Sequence, residues 1–213
     1  MKIYLIRHGR QDSKLCNVDV GLSEEGKRQA ALLGERLAGA GIERVYSSGL
    51  LRAYETAQIA NECWKQEHIV IPELREISFG ELEGKSDEEI AVVYADFKKK
   101  QEALTEDLPY PGGECAADVI RRTMPVLMEI TECGCKNVAV VTHGCVIRSL
   151  ITAVLGMKPE DYRRMGNSLE NGSISCLVWH EGKKRFTLER FNDYAHLEAY
   201  PELLRASWVE AEN

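Results

Sequence analysis

Two apolar runs, Ile3-Tyr4-Leu5-Ile6 and Val138-Ala139-Val140-Val141, each break off into a histidine followed by glycine, in Arg7-His8-Gly9 and Thr142-His143-Gly144. Both runs are short, continuous and rich in β-branched residues, the signature of strands covered on both faces of a parallel sheet. In open α/β sheets ligands sit just beyond the carboxyl ends of the strands. Both histidines therefore belong at that rim, each beside a glycine that lets the backbone approach a ligand. One such string is explained equally well by a buried structural histidine. The same pattern twice, with arginine before the first histidine, points to an active site.

Between and after these runs, strand and helix signals alternate. Leu22-Ser23-Glu24-Glu25 opens a helix with a serine cap and two early carboxylates, and Gly39 and Gly41 close it. Arg44–Ser47 reads as a second strand, 50–63 as an alanine-rich helix, and Ile69–Ile71 as a third strand stopped by Pro72. Ser86-Asp87-Glu88-Glu89 is a capping box that opens a charged helix towards Leu104. Pro109–Gly113 is a break, 114–132 a helix leading to the strand before His143, and 146–155 another helix. Two late strands, 173–179 and 186–191, form a hairpin across Glu181-Gly182-Lys183. The expected fold is a three-layer α/β sandwich with a central, mostly parallel sheet, helices on both faces and a helical cap. One domain, 1–213, accounts for the length, and 77–113 departs furthest from the alternation. Such a segment is a natural cap over a site.

Composition narrows the function. The formal charge of −7 argues against a general nucleic-acid or membrane-surface binder. No apolar stretch approaches the roughly 20 residues of a membrane span, and the charged start does not read as a secretory signal. The seven cysteines are scattered without a C-x-x-C pair, which favours reduced thiols in a cytoplasmic protein over disulfides or a metal centre. Cys145, just past His143, is a lesser nucleophile candidate.

An acidic protein that binds an anion must concentrate positive charge locally, so individual arginines matter. Neutral imidazole can attack phosphorus and split a hard displacement into two easier ones. The transferred phosphoryl group then needs donors at its oxygens, and arginine supplies a planar, permanently charged fork. Arg7 stands beside His8. Arg52 falls in the first turn of the helix after Ser47-Ser48, at the same rim, where a helix N-terminus also favours anions. His143, once protonated, would donate to a phosphoryl oxygen. A proton donor for the leaving alcohol comes from Glu76, Glu81 or Glu83. Glu76 follows the third strand most closely and has apolar neighbours suited to a general acid, but these residues alone do not decide among the three.

The ordered set of Arg7-His8-Gly9, Leu22–Gly26, Ser47-Ser48 through Arg52–Ala57, Leu74-Arg75-Glu76 with Phe79-Gly80 and Glu83-Gly84, Pro111–Glu114 and Thr142–Gly144 resembles the histidine phosphatase superfamily, in its phosphoglycerate mutase-like branch. The likeness runs from Met1 to about Val178. It implies His8 as the phosphoryl-accepting nucleophile, Arg7, Arg52 and His143 as the phosphate pocket, and Glu76 as the general acid and base, with no metal and no organic cofactor. Where the family usually has glutamate, threonine and asparagine, this chain has Arg10, Gln11 and Lys14. Gln11 can donate through its amide and Lys14 can bring a full charge to phosphate; both also read as solvated loop residues. Mutases of the family hold the glycerate carboxylate with extra basic residues after the acid glutamate. Here Glu81–Glu89 is acidic, which favours a phosphatase acting on a small phosphomonoester, although Arg121-Arg122 keep the mutase alternative open. A catalytically quiet binding module is the third alternative. Tyr94, Phe97, Tyr110 and Pro111 are candidates to line a lid. The aromatic tail, with Tyr194, Tyr200 and Trp208, packs either on the domain or on a second subunit of a homodimer.

Overall fold

The computed structural model describes residues 1–103, 105–166 and 168–207. The chain runs β1 (Lys2–Arg7), α1 (Glu24–Arg36), β2 (Arg44–Ser47), α2 (Leu51–Trp64), β3 (His68–Val70), α3 (Asp87–Val93), α4 (Ala95–Glu102), α5 (Ala116–Thr131), β4 (Asn137–Thr142), α6 (Gly144–Val154), β5 (Ile174–His180) and β6 (Arg185–Asp193). The six strands form one sheet in the order β3-β2-β4-β1-β5-β6. The first four are parallel neighbours, and β5 and β6 extend the sheet antiparallel.

Alternation along the central strands divides the core. Ile3 and Leu5 of β1 with Val138 and Val140 of β4 face α5 and α6, which bring Val119, Leu127, Ile147 and Leu150. Ile6, Ala139 and Val141 face α1 and α2, which bring Leu33, Ala53, Ala57 and Ala60. All of these are essentially inaccessible to water, as expected for strands covered on both sides. Pairing Arg7 with Thr142 ends β1 and β4 level, so the residues that follow them, His8 and His143, emerge at the same height.

Three expected boundaries shift. The first helix stops at Arg36, and a short 3-10 turn, Ala38–Ala40, carries the chain to Gly41 at φ 65°. The charged helix expected from Ser86 is two helices, broken at Tyr94, whose φ of −113° and ψ of 25° end α3. The helix expected from 146 begins at Gly144, immediately after His143. The Ser86–Glu89 capping box forms as read, with reciprocal bonds of 3.2 and 2.9 Å.

Segment 77–113 leaves and rejoins the domain at one place. Ser78 N–H donates to Glu114 Oε2 at 2.8 Å, and Glu114 N–H returns to the Ser78 carbonyl at 2.9 Å. Tyr110 is buried against Phe79 and Phe97, at ring distances of 4.7 and 5.4 Å. Tyr110, Phe79 and Phe97 thus pack inward on one another within this segment. The described part of the tail packs on the domain: Gln29 donates to the buried Leu203 carbonyl at 2.7 Å, and Arg28 sits over the Tyr200 ring. Trp208 lies outside the described residues.

Candidate active site

The site forms where β1, β2 and β4 end. Gly9 packs so tightly against Gly26 that a Cβ there would lie 2.6 Å from the Gly26 carbonyl oxygen. Gly26 in turn leaves no space for a Cβ beside the Arg10 carbonyl. This pair of glycines lets α1 press on the loop that leaves β1 and fixes the backbone around His8.

His8 is 5% exposed and His143 is fully enclosed, with their ring centroids 5.0 Å apart. His8 Nδ1 lies 2.7 Å from its neighbour's carbonyl, Gly9 O, so Nδ1 carries the proton and donates it. Nε2 is left with its lone pair, and Arg52 Nε donates towards it at 3.3 Å. Burial, then the guanidiniums of Arg52 and Arg7, hold the His8 pKa well below its ordinary value. The ring is therefore a neutral base with its free nitrogen among cations. His143 is held neutral in the same way, by burial and then by Arg52, His8 and Arg7. Its donor capacity in the free protein thus comes from a neutral N–H and not from an imidazolium.

Arg52 is only 2% exposed. Besides His8 it donates to Asn17 Oδ1 at 2.7 Å and to the Val18 carbonyl at 3.0 Å. Arg7 is anchored through Nη1 to Ser168 Oγ and the Leu169 carbonyl, while its Nε is enclosed without a hydrogen-bond partner among the described residues. Burial, with Arg205 as the next contributor, pushes Arg7 down to about 9. Glu76 takes two backbone donors, Ile77 N–H at 2.9 Å and Cys145 N–H at 3.3 Å. The second comes from the first turn of α6. Burial raises the thiol pKa of Cys145, which is the opposite of what a nucleophile needs.

The structure thus brings His8, Arg7, Arg52, His143 and Glu76 to one rim. It does not bring Gln11 or Lys14 there. Gln11 Nε2 donates to the carbonyls of Ser13 and Leu15, and Lys14 is exposed with its charge acting on Glu88 of α3. Asn17 was missed in the sequence. It sits nine positions after His8, with φ 48°, a left-handed conformation that asparagine tolerates, and its Nδ2 donates to Glu83 Oε1 at 3.0 Å. Its place in a loop carried no periodic signal. Asn171, which donates to the His8 carbonyl at 3.0 Å, was equally silent.

A cleft of about 500 Å3 opens beside Glu76, walled by Asn17, Asp19, Arg75, Ser78 and Glu83 among others. Of the two arginines that kept a second anion site open, Arg121 is outward and paired with Asp118. Arg122 makes a two-pronged pair with Glu114 at 2.8 and 2.9 Å and donates to the carbonyls of Glu73, Arg75 and Glu76.

Known proteins resemble this chain over most of its length. A probable phosphoglycerate mutase of Yersinia enterocolitica is 30% identical over 217 residues, covering 96% of this chain and all of the relative. The mycobacterial glucosyl-3-phosphoglycerate phosphatase, in complex with inorganic phosphate, superposes with a TM-score of 0.80 at 29% identity, over 92% of this chain and 98% of that one. A phosphoserine phosphatase from Entamoeba histolytica superposes at 0.78 with 27% identity, over 92% and 98%. The sequence pattern of the histidine phosphatase superfamily (branch 1) matches residues 3–194, and the chain belongs to that family.

Proposed function

We propose that this protein is a phosphomonoesterase that hydrolyses a small phosphorylated metabolite through a phosphohistidine on His8. The observation that carries the reading is the state of His8: Nδ1–H engaged by Gly9 O, Nε2 free of protons, and the ring neutral among arginines. Nε2 attacks phosphorus as the bond to the leaving oxygen breaks, and that oxygen takes a proton from Glu76. Glu76, now a carboxylate, takes a proton from water as the water oxygen attacks phosphorus and the P–N bond breaks. Inorganic phosphate leaves and His8 returns to its starting form. Arg7, Arg52 and His143 hold the phosphoryl oxygens, and their fixed dipoles and charges supply most of the stabilisation in such transfers.

Water is favoured as the acceptor over a second phosphorylated molecule. Asp19 and Glu83 border the cleft beside Glu76, and Arg122 is occupied by Glu114. Gln11 and Lys14 are assigned to the loop and not to phosphate. The segment 77–113 acts as the cap that admits the leaving group. The seven free thiols fit a reducing, cytoplasmic setting, and among the described residues no helix is long and apolar enough to cross a membrane.

The deciding experiment is phosphate release from an aryl phosphate and a panel of phosphomonoesters, with rapid-quench trapping of labelled protein. His8→Ala abolishes both label and turnover, and Glu76→Gln lowers kcat by about 10²- to 10⁴-fold on poor leaving groups. Turnover that survives His8→Ala sinks the proposal. Transfer between phosphoglycerates faster than phosphate release, as the names of the relatives would suggest, replaces it with mutase activity.

A further inference from the structure

We infer that Ser48 is a positioning residue for His143: its hydroxyl donates to Nε2 and holds the ring in the tautomer that presents Nδ1–H to the phosphoryl oxygens. The inference rests on the phosphatase reading for what Nδ1 meets, and on geometry alone for the tautomer.

The sheet itself brings the two residues together. β2 and β4 are paired in register, with Ser47 opposite Val141, and Ser48 N–H continues the ladder to the Val141 carbonyl at 3.2 Å. Ser48 and His143 are the residues that follow these strands, so their side chains meet just past the end of the sheet. Ser48 Oγ lies 2.7 Å from His143 Nε2, and both residues are completely enclosed. Ser47 Oγ donates to the Ser48 carbonyl at 3.0 Å and steadies this short turn.

Three protonation patterns are open to the ring, and the surroundings separate them. An imidazolium would donate from both nitrogens, but burial beside Arg52, His8 and Arg7 disfavours that charge. A neutral ring with the proton on Nε2 would donate to Ser48 Oγ. The hydroxyl hydrogen would then have no acceptor among the described residues, and the Nδ1 lone pair would face an incoming phosphoryl oxygen. Both defects fall on groups without access to water, where an unmade hydrogen bond is most costly. With the proton on Nδ1, Ser48 donates to the Nε2 lone pair. Nδ1–H is then an enclosed donor without a partner among the described residues. Arg7 Nε is a second such donor at the same rim.

The two histidines are then matched opposites. His8 has its Nδ1–H occupied by Gly9 O and offers a lone pair at Nε2; His143 has its Nε2 occupied by Ser48 and offers a proton at Nδ1. One ring attacks phosphorus and the other receives an oxygen of the same group. Neither needs a change of protonation before substrate arrives.

The test is long-range proton–nitrogen correlation NMR on protein labelled with ¹⁵N-histidine near neutral pH, with His143→Gln identifying the His143 signals. The expected spectrum has His143 protonated on Nδ1 and bare on Nε2. Ser48→Ala shifts His143 to a mixed or Nε2–H population, leaves His8 unchanged, and weakens binding of vanadate by about tenfold, the size of one neutral hydrogen bond. A wild-type ring protonated on Nε2 overturns the inference, and this reading does not depend on Ser48→Ala folding. So does a Ser48→Ala protein that keeps both the tautomer and the vanadate affinity. An Nδ1–H ring in a protein that binds no vanadate upholds the hold of Ser48 on the ring and overturns the phosphatase reading instead.

Discussion

Two buried neutral imidazoles must make the free protein sensitive to mild acid, and the size of the effect follows from their burial. The pKa values of His8 and His143 lie well below 6.5 in the folded chain, whereas the unfolded chain titrates each ring near 6.5. A depressed folded pKa means that the unfolded state binds more protons below 6.5, so the stabilisation is present above that pH and is lost as pH falls towards the folded values. Between pH 7 and pH 5 each unfolded ring goes from about one-quarter to almost fully protonated, which costs up to about 2 kcal/mol per ring that stays neutral in the folded chain. The 5.0 Å between the rings does not reduce this figure, because their mutual repulsion only lowers the folded values further while the unfolded chain sets the slope. His196, pushed down to about 4 by burial, acts in the same direction, so the rings are best isolated by difference. Urea unfolding at both pH values, in a phosphate-free buffer, should show His8→Gln and His143→Gln each losing about 2 kcal/mol less than wild type on acidification. Variants that retain the wild-type pH dependence to within about 0.5 kcal/mol would mean that these rings are not buried as neutral bases.

Other perturbations test the rest of the site. Inorganic phosphate at a hundred times its Kd should stabilise the protein by about 2.7 kcal/mol; Arg52→Ala removes a buried cation from beside His8 and should abolish that thermal shift. The acid limb of kcat/KM for an alkyl phosphate should follow the second ionisation of the substrate near pH 6, since His8 is already unprotonated there; a limb that moves with Arg7 or Arg52 variants contradicts this. Gly9→Ala places a Cβ 2.6 Å from a backbone oxygen that cannot retreat, so urea unfolding should show a loss of about 1–3 kcal/mol or more. Arg122→Met releases the carbonyls of Glu73, Arg75 and Glu76 together, and should lower kcat by about 10²-fold with KM little changed, as a misplaced acid does.

The parallel core and the placement of His8, Arg7, Arg52 and His143 at its rim were legible from local patterns with a physical cause, whereas Glu76 was singled out from three glutamates only by the family resemblance. Continuous apolar runs demand cover on both faces, and their ends in histidine-glycine locate the rim. What could not be read depends on side chains meeting across loops. Asn17 reaches Arg52 from a loop whose shape is set by its own left-handed turn. The family asparagine led the eye to position 14, where an exposed lysine stands instead. Gln11 had the right chemistry, but its amide is taken by the carbonyls of its own loop. The break at Tyr94 was hidden because the charged residues on either side of it are all acceptable in a helix.

Arg121-Arg122 shows how a sequence pair misleads when its secondary structure is left out. Two neighbours on a helix point about 100° apart, so they cannot both face one cleft. In α5 the first turns outward, with its side chain 75% exposed, and the second turns inward at 12%. The inward guanidinium has five donors, and Glu114 with three carbonyls of the acid loop accounts for them. To reach Arg122, a carboxylate from an incoming phosphoglycerate would have to displace Glu114, which also holds Ser78 N–H where segment 77–113 begins. Such a ligand would gain one ion pair by breaking an equivalent one and loosening the loop that presents Glu76. Water makes no such demand. The clamp that fixes the loop of Glu76 therefore withholds Arg122 from a second anion, which accords with the proposed hydrolysis.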